Sequence, residues 1–170
     1  MNTARRERAA AGDKEESMAK GRVIVGADHR GVELKAKIVP WLRELGYDVE
    51  DIGTNTVEPA VDYPPYAFRV GEAVASGRAE RGILVCHSGN GIAIAANKVP
   101  GVRAAICMNP EHAEMARRHN DANVLVLGQD YIEPGSERAI VETWLTSPFD
   151  GGRHARRVEQ IADYETKHAR

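Results

Sequence analysis

The sequence predicts an α/β fold, a five-stranded parallel sheet with helices on both faces. Three observations lead to it. From residue 21 onward, short apolar runs and helical patterns alternate five times. One of the runs, Ile83-Leu84-Val85-Cys86, is apolar at every position, as expected of a strand buried on both faces. No internal repeat and no linker interrupts residues 21–170. A chain of 170 residues fits one domain of about 100–200 residues. Residues 1–20 are charged and Ala-rich without a core-forming face, and are expected to be a disordered N-terminal arm.

Val23-Ile24-Val25 is the first strand, closing on Gly26-Ala27-Asp28-His29. Leu34, Ile38, Leu42 and Leu45 recur at helical spacing, and Gly46 ends that helix. Pro40 inside it removes one backbone hydrogen bond and predicts a kink. Residues 47–52 alternate as a second strand, and 53–62 form a loop. Asp62 is the expected N-cap of the next helix, with Pro64 and Pro65 in its first turn. Ala67, Val70 and Val74 form its buried stripe, and Gly77 stops it. After the third strand, residues 87–91 turn into a helix over 92–97. Residues 104–107 form the fourth strand, and Asn109-Pro110 opens the next helix. Residues 123–127 form the fifth strand, closed by Gly128. Helices over 134–145 and from 153 to about 167 complete the chain. Right-handed crossovers are expected between the parallel strands.

Composition narrows the function classes. Hydrophobic residues make up 42%, charged residues 28%, and the net charge is −2, which exclude a disordered chain and leave no electrostatic footprint for nucleic acid or an anionic membrane. Two cysteines are too few for a disulfide framework. No apolar run approaches the roughly 20 residues of a membrane helix. The basic N-terminus has no apolar stretch after it, as a secretory signal has. The expectation is a cytoplasmic protein with reduced thiols. The six histidines and two cysteines fall in no familiar ligand spacing, so neither metal nor cofactor is expected.

In a parallel sheet the ligand site lies outside the carboxyl ends of the strands. Those ends carry Asp28-His29, then Cys86 to Gly91, Cys107 to Asn109, and Gly128. Two glycines in the turn Cys86-His87-Ser88-Gly89-Asn90-Gly91 leave backbone N–H groups free to hold an oxyanion, and Ser88 adds a hydroxyl. A thiol near a helix N-terminus is expected to have a lowered pKa and to act as base or nucleophile, although a cysteine at a strand end also reads as a small buried hydrophobe. Asp28 beside His29 reads either as a proton shuttle or as a helix cap. His119-Asn120-Asp121 precedes the fifth strand, at the opposite edge from the strand carboxyl ends unless a second subunit brings it over, and otherwise reads as a loop of polar turn residues. Arg153 and Arg157 share one helical face and suit a phosphate, or else form a solvated basic face, as Arg156 does. A Cys86–His87 hydrolytic dyad is disfavoured, because adjacent strand residues point to opposite faces.

Five stretches in register over residues 21 to about 166 resemble the ribose-5-phosphate isomerase B family, which also contains galactose- and allose-6-phosphate isomerases. They are Gly26-Ala27-Asp28-His29-Arg30-Gly31, Asp62-Tyr63-Pro64, Cys86 through Ile94-Ala95-Ala96-Asn97-Lys98, His119-Asn120-Asp121-Ala122-Asn123-Val124, and Gly151-Gly152-Arg153-His154-Ala155-Arg156-Arg157-Val158. The resemblance implies a Rossmann-like three-layer fold and a metal-free aldose–ketose isomerase acting on a sugar phosphate through a cis-enediolate. It implies a homodimer with shared active sites, sometimes assembled into tetramers, and a C-terminal helix packed on the partner. By the same resemblance Cys86 is the base, because Ile92 stands where other members place a Glu. Ser88, with the N–H groups of Gly89, Asn90 and Gly91, steadies the enediolate. His119 opens the furanose ring and Asp28 holds sugar hydroxyls. His29, Arg153 and Arg157 bind phosphate, and Tyr63 and Asn120 line the pocket.

Two positions depart from that family. Where members often carry Gly-x-Arg after the fifth strand, an Arg that helps hold phosphate, this chain has Gly128-Gln129-Asp130. His87 stands where the family usually has Gly. Ribose 5-phosphate is the expected substrate. Another tetrose, pentose or hexose phosphate, or a non-catalytic phosphate-metabolite-binding module, remain the alternatives.

Overall fold

A computed structural model describes residues 19–169. Five strands, β1 (Arg22–Ala27), β2 (Asp48–Asp51), β3 (Arg81–Cys86), β4 (Ala104–Ile106) and β5 (Val124–Gly128), form one parallel sheet in the order β2-β1-β3-β5-β4. Six helices accompany them: α1 (Val32–Glu44), α2 (Pro64–Ala75), α3 (Asn90–Ala96), α4 (Pro110–Asn120), α5 (Glu137–Thr146) and α6 (Arg153–His168). A 3-10 turn, His29–Gly31, links β1 to α1. The expected arm falls on residues outside those described, except at its end. There the Lys20 N–H donates to the Gly46 carbonyl at 3.0 Å, so Lys20 already belongs to the fold.

Strand alternation builds two cores, one on each face of the sheet. Val23, Val25, Ile83, Val85, Leu125 and Leu127 point to the face covered by α1, α4 and α5, against Leu34, Ile38, Leu42, Ala113, Ile140 and Trp144. Ile24, Leu84, Cys86, Val124 and Val126 point to the other face, against Ala67, Val70 and Val74 of α2 and Ile92, Ala93 and Ala96 of α3. The result is three layers, held by burial of apolar surface at roughly 25 cal/mol per Å². β4 lies at the sheet edge and is only half-buried.

Local chemistry sets most of the helix ends. Asn109 caps α4 by accepting the His112 N–H at 2.8 Å. Three boundaries differ from expectation. Asp62 does not cap α2. The cap position is Tyr63, whose backbone is already helical and whose side chain makes no capping bond, so the prolines alone start the helix. α5 begins at Glu137 rather than 134, because Gly135 takes φ +92° and turns the chain first. α3 starts at Asn90, so Asn90 and Gly91 belong to its first turn. α1 runs through Pro40 without interruption from Val32 to Glu44. Among the described residues, no helix is long and apolar enough to cross a membrane.

The sheet order places the site. The chain leaves β1 toward β2 on one side and reaches β3 on the other. This makes β1/β3 a switch point, where connections diverge and leave a crevice at the carboxyl ends. Asp28 follows β1 directly, and Cys86 is the last residue of β3.

Candidate active site

Asp28 serves two neighbours with one carboxylate. Oδ1 accepts the Arg30 N–H at 3.0 Å and caps the 3-10 turn. Oδ2 accepts the Cys86 S–H at 3.2 Å across 58 residues of sequence. Both side chains are buried, at 4% and 8% exposure. The close approach of the turn to β3 depends on Gly31, where a Cβ would lie 2.4 Å from the Val85 carbonyl oxygen.

The thiol environment overturns the expectation of a lowered pKa. Burial, followed by the hydrogen bond to Asp28 and the negative charge of that carboxylate, pushes Cys86 up to about 11. The backbone N–H groups of His87 and Gly89 pull in the opposite direction but do not prevail. In the resting protein Cys86 is a thiol that donates to Asp28. Cys107 is buried, and desolvation raises it to about 12.

The turn after Cys86 is held closely. Gly89 takes φ +84° and lets the chain enter α3. The Ser88 Oγ accepts the Asn90 N–H at 3.3 Å, which engages the first N–H of α3. Gly128 at the end of β5 packs against this turn, where a Cβ would lie 2.5 Å from the Ser88 carbonyl oxygen. The Gln129 N–H donates to the Cys86 carbonyl at 2.9 Å, and its side-chain Oε1 accepts the Leu34 N–H at 2.8 Å in the first turn of α1. Tyr63 lies over Gly91, where a Cβ would meet its Cζ at 2.6 Å. His29 is fixed by the loop, its Nδ1 lying 3.1 Å from the Val61 carbonyl oxygen and 3.2 Å from the Val61 amide nitrogen. An open groove of about 470 Å³ lies beside this loop, lined by Ala60, Val61, Asp62, Pro65, Tyr66 and Arg69, away from Cys86 and Asp28.

Thus β1, β3, α2 and α3 bring Asp28, His29, Tyr63, Cys86, Ser88, Gly89, Asn90 and Gly91 to one end of the sheet. His119, Asn120, Arg153 and Arg157 gather elsewhere. α4 ends at Asn120, just before the amino end of β5. Asp121 turns there in the left-handed region, at φ +46°. Arg103 donates to the Asn120 and Asp121 carbonyls at 3.1 and 3.0 Å, and Arg117 donates to the Asp121 carboxylate at 2.8 Å. Within one chain the two groups lie at opposite ends of the strands.

Sequence reading missed what surrounds His119. The buried ring of His154 stacks on it, with centroids 4.2 Å apart and planes at 6°. Burial first, and then the neighbouring His119, lowers the His154 pKa, so this ring stays neutral. The ligand atoms of His119, Asp150 and His154 lie within 4.8 Å of one another. Parallel rings direct their lone pairs side by side rather than toward a common point. Asp150 is also held by the Arg118 Nε at 3.1 and 3.2 Å. The three form a stack with a clamped acid, and a metal would need both rings turned. The sequence signal for His154 was its place between Arg153 and Arg157.

The two unusual positions prove to be partners. His87 points away from the face that holds Cys86. Its Nδ1 pairs closely with the Asp130 Oδ2, and its ring meets Tyr131 edge-on at 5.4 Å. The Arg30 Nη2 lies 3.4 Å from the same Asp130 oxygen. His87 and then Arg30 hold the Asp130 carboxyl below its ordinary range. A Cys86–His87 dyad is therefore absent, since each residue is engaged elsewhere.

Comparisons with known proteins agree with this arrangement. A sequence model described as Ribose/Galactose Isomerase matches residues 23–161. The ribose-5-phosphate isomerase B of Escherichia coli is 44% identical over 146 residues, covering 86% of this chain and 97% of that protein. The putative sugar phosphate isomerase YwlF of Bacillus subtilis is also 44% identical over 146 residues, covering 86% and 98%. Among solved structures, the ribose-5-phosphate isomerase B of Clostridium thermocellum superposes with a TM-score of 0.84 at 49% identity, covering 87% of this chain and 99% of that one. The Mycoplasma genitalium ribose-5-phosphate isomerase B with bound ribulose-5-phosphate has a TM-score of 0.83 at 37% identity, covering 86% and 97%.

Proposed function

We propose that this chain, which belongs to the ribose/galactose isomerase family, is a sugar-phosphate isomerase that interconverts ribose 5-phosphate and ribulose 5-phosphate through a cis-enediolate, with Cys86 as the base. The observation that carries this reading is the placement of Cys86 and Asp28 in hydrogen-bond contact at the β1/β3 switch point, beside the turn at Ser88–Gly91.

The chemistry requires one mobile base and several fixed donors. The Cys86 sulfur takes the proton from C2 of the aldose and, after exchange with solvent, delivers a proton to C1, while the proton of the C2 hydroxyl passes to the C1 oxygen. As the C2 proton leaves, negative charge develops on the oxygens of C1 and C2. The Ser88 hydroxyl and the Gly91 N–H meet that charge, while the Gly89 N–H stays with the sulfur. Asp28 couples binding to activation. In the free protein its Oδ2 accepts the thiol proton and its charge opposes a thiolate. Sugar hydroxyls that donate to Asp28 compete with the thiol for that oxygen and relieve the opposition. The N–H groups of His87 and Gly89 then favour the thiolate, and the thiol proton passes to solvent.

The other half of the site comes from a second copy of the chain. His119, which opens the sugar ring, and the phosphate-binding Arg153 and Arg157 lie at the opposite end of the strands in their own subunit. α6 leaves Ile161 and Tyr164 exposed, at 50% and 66%, and α3 leaves Ile94 exposed at 62%. Such exposed apolar side chains suit an interface between copies.

The test is turnover of ribose 5-phosphate in D2O with chelator present. Deuterium should appear in ribulose 5-phosphate, and Cys86→Ala should abolish turnover while leaving the fold and phosphate binding intact. Turnover without solvent deuterium would point to hydride transfer and reject the enediolate. A clear preference for a tetrose or hexose phosphate would move the substrate and leave the chemistry.

A further inference from the structure

Three strand ends contribute one charged or titratable side chain each to a cluster that the chemistry above does not use. Arg30 follows β1, His87 follows β3 and Asp130 follows β5. All three are partly exposed, with side chains 53%, 44% and 40% accessible. They stand at the rim of the crevice, two residues beyond Asp28, one beyond Cys86 and two beyond Gly128.

The cluster has a definite hydrogen-bond order. The His87 Nδ1 contacts both the Asp130 Oδ2 and, at 3.2 Å, the Arg30 Nη2. One ring nitrogen cannot donate to the carboxylate and accept from the guanidinium at once. The closer contact assigns its proton to Asp130. Arg30 then holds only a long contact, 3.4 Å, to the same carboxylate oxygen. Among the described residues its Nε and Nη1 have no partner, so most of its planar donor fork is free on a side chain that is 53% accessible. His87, by contrast, holds Asp130 firmly.

A loosely held guanidinium at the mouth of a crevice is suited to an oxyanion that offers two or three oxygens at once. Asp130 alone at this rim would repel an anionic substrate. Paired with His87, it instead holds the Arg30 guanidinium only through one long contact. We propose that Arg30 is a phosphate-recognition residue supplied by the same subunit as Cys86, which exchanges its weak contact with Asp130 for the phosphate group of the substrate. The proposal rests on the sugar-phosphate reading for its ligand. It adds a residue and a device that this reading does not require, an internal carboxylate competing with the incoming phosphate for one guanidinium.

The competition fixes opposite signs for two substitutions. Arg30→Gln removes the fork and weakens phosphate binding. Asp130→Asn removes the competitor and its charge, and strengthens it. Both positions are on the surface, so neither change threatens the core. The experiment is calorimetric titration of the full chain with inorganic phosphate, together with the steady-state constants for ribose 5-phosphate. Arg30→Gln should weaken phosphate about tenfold, the scale of one charge-assisted fork. The change in turnover should fall on KM rather than kcat, a split that a merely structural role would not produce. Asp130→Asn should tighten phosphate about threefold, and the same change in the Arg30→Gln background should tighten it less, because only the repulsion of the carboxylate is then removed. Undiminished phosphate affinity in Arg30→Gln overturns the proposal, as does an Asp130→Asn variant that binds no more tightly. Loss of turnover on every sugar phosphate, with these phosphate shifts intact, would reject the isomerase reading and keep the role of Arg30.

Discussion

The Cys86 Sγ lies 3.2 Å from the Asp28 Oδ2, and burial together with this contact holds the thiol protonated rather than activating it. A thiol pushed up to about 11 is thiolate in only about one molecule in ten thousand at pH 7. With Cys86 as the proposed base, the deprotonated form is the active one, so activity of the free protein is expected to rise as pH climbs toward 11. The expected profile of kcat/KM increases about tenfold per pH unit between 7 and 9, without a plateau in that range. The kcat profile reports the bound state and should level off at lower pH, once sugar hydroxyls occupy Asp28. A kcat/KM profile already flat by pH 8 would show that the thiol is activated before substrate arrives.

Asp28→Asn separates the two roles of that carboxylate. The substitution removes the charge that opposes the thiolate and replaces an acceptor with an amide that can donate to sulfur. The Cys86 pKa should fall, while burial, its largest cause, still keeps it elevated. Alkylation by iodoacetamide at pH 8 should quicken by about tenfold, against a Cys86→Ser control for the buried Cys107. Turnover should drop by about a hundredfold or more, because the sugar hydroxyls lose their acceptor. Slower alkylation in this variant would mean that Asp28 favours the thiolate, contrary to the geometry.

Much of the fold is legible because its signals are local. Val23, Val25, Ile83 and Val85 alternate with Ile24, Leu84 and Cys86, and the sheet sorts them onto its two faces as the period of two requires. Asp62 misled because a good capping residue is not a cap unless the chain leaves the helix there, and Tyr63 is already helical. The thiol misled for a related reason. Proximity to a helix start is visible in the sequence, whereas burial and a carboxylate 58 residues away are products of the tertiary fold. The pairing of Arg30 with Asp130 spans 100 residues and has no local signature either. Asp130 and His87 each look anomalous along the chain, and the structure makes them one feature.

Lys35 supports the loop that frames the site. It is 2% exposed on α1, and its Nζ donates to both oxygens of Asp51 at 2.9 and 2.7 Å and to the Asn55 Oδ1 at 2.6 Å. Breaking a buried pair leaves a desolvated charge behind, here partly relieved because the Asp51 side chain is 25% exposed. Lys35→Ala should lower the unfolding free energy by about 3 kcal/mol in urea denaturation. It should also raise KM, since the loop from Asn55 to Val61 fixes His29. A loss below about 0.5 kcal/mol, the level of an ordinary surface change, would refute the burial argument.

The separation of Cys86 from His119 within one chain allows a direct test of the shared site. If each site takes Cys86 from one subunit and His119 from another, Cys86→Ala and His119→Ala variants are individually inactive but complementary. A mixed dimer carries one site with both defects and one with neither. Unfolding the two inactive proteins together in equal amounts and refolding them should produce mixed dimers as about half of the population, and so about a quarter of native activity. The variants refolded separately and then combined should recover activity only as fast as subunits exchange. Chains that function alone would show no recovery under either protocol, because each would carry its own defect. The same preparation tests the phosphate arginines. Arg153 and Arg157 lie on α6, in the group that contains His119, so an Arg157→Ala change should spare the mixed dimer when added to the His119→Ala chain. Added to the Cys86→Ala chain, which supplies the intact His119, it should weaken that dimer's binding of ribose 5-phosphate.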